Sequence, residues 1–382
     1  GDHRDLHLSL RRQRQMCIRD SPRRHHYSGL PVLHLGRYRP VTTLLALPYW
    51  QETGIKLGLA LAIIPTTSLI LVYLFLFKMM AFMQSRLGPN DTGPYGTLQL
   101  IAEAIKFLQK EDIHPAQADR RVFRMAPVVV LGSTFLLYVI LPAGPDAVVE
   151  NLDTGIFYAM AVSSLSVLGI LMAGWSSANK YALLGGLRAA GQLIAYELPL
   201  ILAVMGVVIQ AETLNLQGIV VAQATGEIFG FGGIGNPFIF TQFLAFLIFM
   251  IAAQAELTQT PFDMPVAETE LVGGFHIEYT GFRFLLFFMA EFGTAFAFAA
   301  LASVMFLGGW WIPGFDVDDN ILNVLGPGVM LGKILLISFF IFWVRFTYPR
   351  LREDQLQKFA WKVLIPLSLA NIVLTGIFKV VF

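Results

Sequence analysis

The chain has 382 residues, 55% apolar and 14% charged, with a mean hydropathy of +0.63 and a formal net charge of +1. A soluble domain carries roughly one quarter charged residues, so the composition excludes a set of soluble domains and predicts an all-α membrane protein folded as one bundle; the near-zero net charge gives no electrostatic case for a nucleic-acid partner. A lone cysteine, Cys17, excludes an intrachain disulfide framework and any cysteine-ligated iron–sulfur cluster held by this chain alone.

Residues 1–54 stand apart. They hold nine arginines, no lysine and five of the seven histidines, with no helical or strand period and no apolar run fit for a signal peptide. The stretch RRQRQMCIRDS resembles a translated sequencing adaptor; a native basic tail is the other reading. This atypical basic segment is set aside, with Leu44–Trp50 read as a short interfacial turn, and 55–382 is read as a single polytopic membrane domain. The first span is expected over about Ile55–Met79, kinked at Pro65. A long polar loop follows, broken at Gly93-Pro94, and Tyr95–Lys110 reads as an amphipathic helix. Leu98, Ile101, Ala102, Ile105 and Leu108 share one face while Glu103, Lys106 and Lys110 lie off it, the pattern of a helix lying in the membrane interface. Further spans are expected at about Phe123–Leu141, Ile156–Gly174, Ala189–Gln210, Pro237–Ala255, Phe282–Gly308, Val329–Phe346 and Trp361–Val381, about eight in all.

Basic residues set the orientation. The loop 78–124 holds Lys78, Arg86, Lys106, Lys110, Arg120, Arg121 and Arg124; alternate loops carry Lys180 and Arg188, then Arg283, then Arg345, Arg350, Arg352, Lys358 and Lys362. The loops 143–155, 211–236 and 309–328 contain no Lys or Arg. The first set is therefore cytoplasmic, and eight spans place both termini outside. The outer loops read as plain connectors. One of them carries a literal G-x-G-x-x-G at Gly230, Gly232 and Gly235, but it lacks the strand–helix setting of a dinucleotide site and reads as a turn.

The densest chemistry lies on the cytoplasmic side, in Gln254–Arg283. It carries Glu256, Asp263, Glu268, Glu270 and Glu278, with Arg283 as the one unambiguous counter-charge. Carboxylates at a membrane boundary are costly unless solvated, paired or protonated. The stretch is either a solvated loop or a structured, carboxylate-lined vestibule for protons or a polar ligand. Glu197 in LIAYELPL and Glu291 in FFMAEFG fall inside spans, so each must face protein, either as a structural hydrogen bond or as a proton relay; Glu256 joins them at the end of the fifth span. His276 lacks the partners of a metal site. Tyr95, Tyr196, Tyr279 and Phe275 either line an apolar pocket for a ring-and-tail ligand or anchor helix ends at the interface.

Four long motifs carry a resemblance: QSRLGPNDTGPYGTLQLIAEAIKFLQKE, GWSSANKYALLGGLRAAGQLIAYELPL, PFDMPVAETELVGGFHIEYTGFRFLLFFMAEF and RFTYPRLREDQLQKFAWKVLIPLSLA. Together, over about residues 55–382, the chain resembles the H-subunit family of bacterial NADH-quinone oxidoreductase, counterpart of subunit 1 of mitochondrial respiratory complex I. The resemblance implies a multi-pass inner-membrane protein, joining the membrane arm of that complex to a peripheral arm, that walls the chamber where quinone is reduced. Quinone is then the substrate, and the iron–sulfur clusters, flavin and NADH sit on partner subunits. Residues and resemblance together give an expected proton-coupling set of Glu197, Glu256, Asp263, Glu268, Glu270, Glu278 and Glu291. Arg86, Glu103, Lys106, Phe262, Tyr279 and Arg283 are the expected quinone chamber or its wall. The chain departs from the family's pattern in four places: Leu76 and Phe77 stand where a Glu-Arg pair is usual, Gln259 where Arg is, and Val266 where Glu is. Related membrane subunits of energy-converting hydrogenases and of ferredoxin- or F420-dependent dehydrogenases give a second reading, and a stand-alone transporter a third, for which the sequence shows no internal repeat.

Overall fold

The computed structural model describes residues 49–145, 147–226, 235–313 and 319–381, and among these the chain is helical with no strand. Cys17, Leu44 and the motif glycines Gly230 and Gly232 lie outside the described residues. Helix α1 starts at Tyr49, runs to Leu71, winds as a π-helix over Val72–Met79 and closes with Met80–Met83. The amphipathic helix α2 is Gln99–Gln109, shorter at its start than the sequence suggested because Gly93 and Tyr95 both take positive φ. Then come α3 (Arg120–Ile140), α4 (Gly155–Ser176) and α5 (Lys180–Ala211). A short α6 (Leu216–Thr225) precedes α7 (Phe243–Glu256), and α8 (Gly281–Leu307), α9 (Asp319–Thr347) and α10 (Glu353–Val381) complete the chain.

Seven helices among the described residues are long and apolar enough to cross a membrane. The remaining expected span, Pro237–Ala255, does not form one helix of that length. It divides at Gln242 into Phe238–Thr241 and the 14-residue α7. At 1.5 Å per residue α7 extends about 21 Å, against about 30 Å of hydrocarbon. Another difference lies in α5, which begins nine residues before the expected Ala189 because Asn179 caps it, its Oδ1 accepting from Tyr181 N at 2.9 Å. Asp119 caps α3 and Asn215 caps α6 in the same manner.

Two helices organise the packing: α5 lies against α4, α7 and α10, while α8 lies against α1, α3 and α9. The buried face of α8 is rich in alanine, from Ala290 through Ala295, Ala297, Ala299 and Ala300 to Ala302, which lets neighbouring backbones approach. Glycine does the same for α4 and α5, where a Cβ at Gly174 would meet Ala182 O at 2.8 Å and Gly186 Cα at 3.1 Å. Pro199 sits inside α5, buried and without an N–H for the helix ladder.

The outer connectors are not plain. In α6, Leu216, Ile219 and Val220 are buried in the main core, and the wholly buried Gln223 donates to Val304 O on α8 at 2.8 Å and accepts from Phe238 N at 3.2 Å. Lys333 on α9 donates to three backbone carbonyls, Leu307 O, Gly309 O and Trp311 O, at 2.6–2.8 Å. It thereby closes the C-terminus of α8, whose last carbonyls have no helical donors. Gln242 at the break before α7 bonds Asn371 and Thr375 on α10 at 3.1 and 2.9 Å.

Candidate functional site

Acids within the helices meet at the inner half of α5. The Ser164 hydroxyl on α4 donates to Glu197 Oε1, so Glu197 faces protein, as its place in an apolar helix requires. Glu256, the last residue of α7, is buried; it lies within Coulomb range of Glu197, and its Oε2 has no hydrogen-bond partner among the described residues. One turn before Tyr196, the Gln192 side chain donates to Ala255 O and Phe262 O, both at 2.7 Å, and so fastens the end of α7 and the start of the acidic loop to α5. Gln259 is buried beside them with both amide atoms unpartnered, and Gln192 Oε1 is unpartnered too.

From there the loop turns back over the inner helix ends. Thr260 Oγ1 donates to Arg345 O at 2.7 Å and Leu351 N to Pro261 O at 3.0 Å, clipping it to the end of α9. Phe262 is buried with its ring edge-on to Tyr196, and the Tyr196 hydroxyl donates to Leu356 O on α10. Asp263 is half-buried next to these contacts. Burial pushes its carboxyl up to about 6, against the pull of Arg350 and Arg345, with Glu291 and Glu268 adding to the rise. Arg345 itself reaches Glu291 on α8 at 3.5 Å. Two pairs of buried or half-buried acids result, Asp263 with Glu291 beside two arginines and Glu256 with Glu197, and Gln192 links them through the neighbouring carbonyls of Phe262 and Ala255.

The remaining loop acids stand apart, nearer the protein surface. Glu270 binds Arg188 of α5 at 2.7 Å and lies 3.7 Å from Arg350; Arg188 also reaches Glu353 at 3.5 Å. The Arg188 hydrogen bond holds the Glu270 carboxyl below its ordinary value. Exposed Glu268 opens a single helical turn. Glu278 accepts from Asn179 Nδ2 at 2.6 Å and lines a polar cavity of about 620 Å³ with Lys180, Gln117 and Ser177. The loop seats closely on α5, since a Cβ at Gly185 would fall 2.7 Å from Gly274 Cα. His276 is half-buried between Phe275 and Phe284, and desolvation draws its imidazole down to about 4.

The expected chamber residues do not share one wall. Arg86 bonds Gln84, Glu103 accepts from Gln99 on the same helix, and Lys106 is exposed. The apolar stripe of α2 is exposed, as an interfacial helix requires, at Ile101, Ile105 and Leu108. Its Phe107 stacks on Phe284 of α8. Arg283 pairs with Asp112 at 2.8 Å and not with the acids of its own stretch, and it also lies over the Phe123 ring. Tyr279 stacks on Phe123 with rings 4.0 Å apart and donates to Phe123 O, whereas Tyr95 is 80% exposed. Of the four aromatics for which the sequence left open a pocket or an anchoring role, Phe275 and Tyr279 share one buried cluster through Phe287, whereas Tyr196 lies in the main core and Tyr95 at the surface.

Sequence reading missed Ser164, Gln192, Gln259 as a buried group, and Lys333. A lone lysine within an apolar helix was the one signal that pointed to any of them. The atypical positions have packing explanations: Leu76 and Phe77 pack against the main core and Val266 against the smaller one, so apolar contacts fill three of the four. Gln259 alone keeps a polar group there.

The sequence profile of the family described as NADH dehydrogenase matches residues 55–376. The H subunit of NADH-quinone oxidoreductase from Geobacillus kaustophilus is 44% identical over 345 residues, 88% of this chain and 97% of that protein. The protein of the same name from Brevibacillus brevis is 42% identical over 340 residues, covering 88% and 96%. That of Bacillus thuringiensis is 41% identical over 350 residues, covering 90% and 99%.

Proposed function

This chain belongs to the family of NADH-quinone oxidoreductase H subunits, and we propose that it works as the membrane-arm subunit of a proton-pumping NADH:quinone oxidoreductase, walling part of the quinone chamber and starting the proton-coupling path. Its place is the bacterial inner membrane, with the acidic loop facing the cytoplasm, both termini outside, and cluster-, flavin- and NADH-bearing partner subunits docked on the loop side. The observation that carries the coupling role is the group Asp263, Glu291, Glu256 and Glu197, in which carboxylates sit in apolar surroundings with only part of their bonding met.

Quinone, when bound, supplies the two-electron acceptor. The chain's residues do the rest by electrostatics. Asp263 has its midpoint near 6, close enough to working pH for a change in nearby charge to alter its proton occupancy. One pKa unit corresponds to about 1.4 kcal/mol. Arg345 and Arg350 hold one flank of the group positive, and Ser164 fixes the Glu197 carboxylate by donating to it. Negative charge gained in the chamber raises the proton affinity of Asp263, and the acids on α7 and α5 lie next on the proposed path. Glu270 and Glu278 serve this arrangement from outside, tying the loop to Arg188 of α5, to Arg350 between α9 and α10, and to the α5 cap Asn179, while Glu268 adds negative charge near Asp263.

Glu197→Gln in the complete complex reconstituted into vesicles is the test. Quinone turnover that persists while pumping falls is the expected result; undiminished pumping at normal turnover overturns the relay.

A further inference from the structure

Away from the acids, α1 and α9 enclose a groove of about 490 Å³, lined by Leu74, Phe75, Lys78, Met79, Phe339 and Trp343. The lining is apolar apart from one ammonium group, and the size falls within the range of small-molecule sites. On the α1 side the wall is the π-helical stretch Val72–Met79, a geometry found mostly as single turns at functional positions. Leu74, Phe339 and Trp343 are each more than a third exposed, so the groove opens outward from the bundle. Its depth is that of the cytoplasmic interface: Lys78 lies little more than a turn before the end of α1, and Trp343 about a turn before the end of α9.

Lys78 Nζ donates to Pro89 O and to Asn90 Oδ1, both at 2.8 Å, and stands 5.9 Å from the Tyr73 ring centre. An ammonium has three N–H donors, so one is left over. Lys78 makes no ion pair with a carboxylate among the described residues. A cation at headgroup depth, with neutral acceptors only and a tryptophan across an apolar slot, has the chemistry to receive an anionic phosphodiester with an attached hydrocarbon chain.

We propose that this groove binds an anionic phospholipid, one acyl chain lying between the π-helical stretch and α9 and a phosphate oxygen accepting the third Lys78 N–H. The lipid braces α1 against α9, and it is required for full turnover. This role is separate from the proton-coupling reading, because none of the acids invoked there lines the groove.

The test uses the complete complex in phosphatidylcholine vesicles with graded phosphatidylglycerol, together with mass spectrometry of the lipids retained after detergent purification. Lys78→Met is expected to need about fivefold more phosphatidylglycerol for half-maximal turnover, the contribution of one lysine near an anionic surface, while Lys78→Arg behaves as the parent. Because Lys78 also holds the loop at Pro89, Leu74→Trp provides a second variant that fills the groove and leaves the lysine in place; it should lose the retained phosphatidylglycerol. Identical phosphatidylglycerol dependence and identical retained lipid in all four proteins would overturn the proposal. So would a map of the complex with a helix from a partner seated in the groove. A Leu74→Trp effect confined to the KM of long-tailed quinones, with lipid retention unchanged, would instead assign the groove to the substrate's tail and also overturn it.

Discussion

The outer and inner ends of this bundle treat buried polar groups in opposite ways. At the outer end they close on one another: Lys333 takes three carbonyls, Gln223 bridges α6 to α8, and Gln242 joins α7 to α10. Gln217 Oε1 is an exception there. At the inner end Gln192 Oε1, both amide atoms of Gln259, Glu256 Oε2 and His276 Nδ1 have no hydrogen-bond partner among the described residues. Buried polar atoms are nearly always satisfied, so the inner end is where the described residues leave bonding capacity to water, ligand or a partner chain. The difference teaches that the outer polar groups serve the fold, while the inner ones keep capacity the fold does not use.

The contrast breaks hardest at Lys333. Lys333→Met strands three carbonyls, one at the end of α8 and two in the segment just after it, and should cost about 3 kcal/mol or more, read as a large fall in the thermal midpoint of the assembled complex, with turnover per intact complex preserved. A comparable energy is at stake at His276, but only in acid. Its folded value near 4 lies below the ordinary 6.5, so the unfolded chain binds more protons between those values. Stability is then full above about 6.5 and declines as pH falls toward 4, by up to about 3 kcal/mol. Stability measured against pH should show this slope, and His276→Phe should flatten it.

Asp263 sharpens the comparison, because its sign is reversed. The folded value near 6 exceeds the ordinary 3.8, so the folded chain binds more protons in that window and stability falls as pH rises through it. Asp263→Asn removes that fall, and a pH–turnover profile of the variant should lose its inflection near 6. Smaller in energy is Glu256→Gln. An amide at a buried site with an unpartnered oxygen shifts stability by about 1 kcal/mol at most, toward greater stability, while the ratio of protons moved to quinone reduced drops. The least effect belongs to Glu270→Gln at the exposed ion-pair cluster, about 0.5 kcal/mol and erased by salt, which a pair of melts at low and high ionic strength would resolve.

Hydropathy made seven spans legible, and the absence of basic residues marked out the outer loops. It did not reveal α6, because Leu216–Thr225 lies in a loop rich in polar and glycine residues and is helical through its Asn215 cap and its burial against α8. Nor did it foresee the division at Gln242, since a glutamine among phenylalanines reads as one polar residue until Asn371 and Thr375 are brought to it from a distant helix. The acids were legible one by one. Their grouping was not: Glu197 with Ser164, Glu291 with Arg345 and Arg283 with Asp112 are pairings between distant segments that periodicity does not encode.

Pro199 bears on how α5 moves. Lacking an N–H, it leaves Ala195 O without its ladder donor, at the one proline in a 32-residue rod. The rod is therefore two arms sharing a soft joint. The inner arm carries Arg188, Gln192 and Glu197, and the outer arm ends in the Gln210–Thr241 clasp. Bending imposed on α5 is therefore expected at Pro199, between the arm that carries Gln192 and the arm that ends in the Gln210–Thr241 clasp.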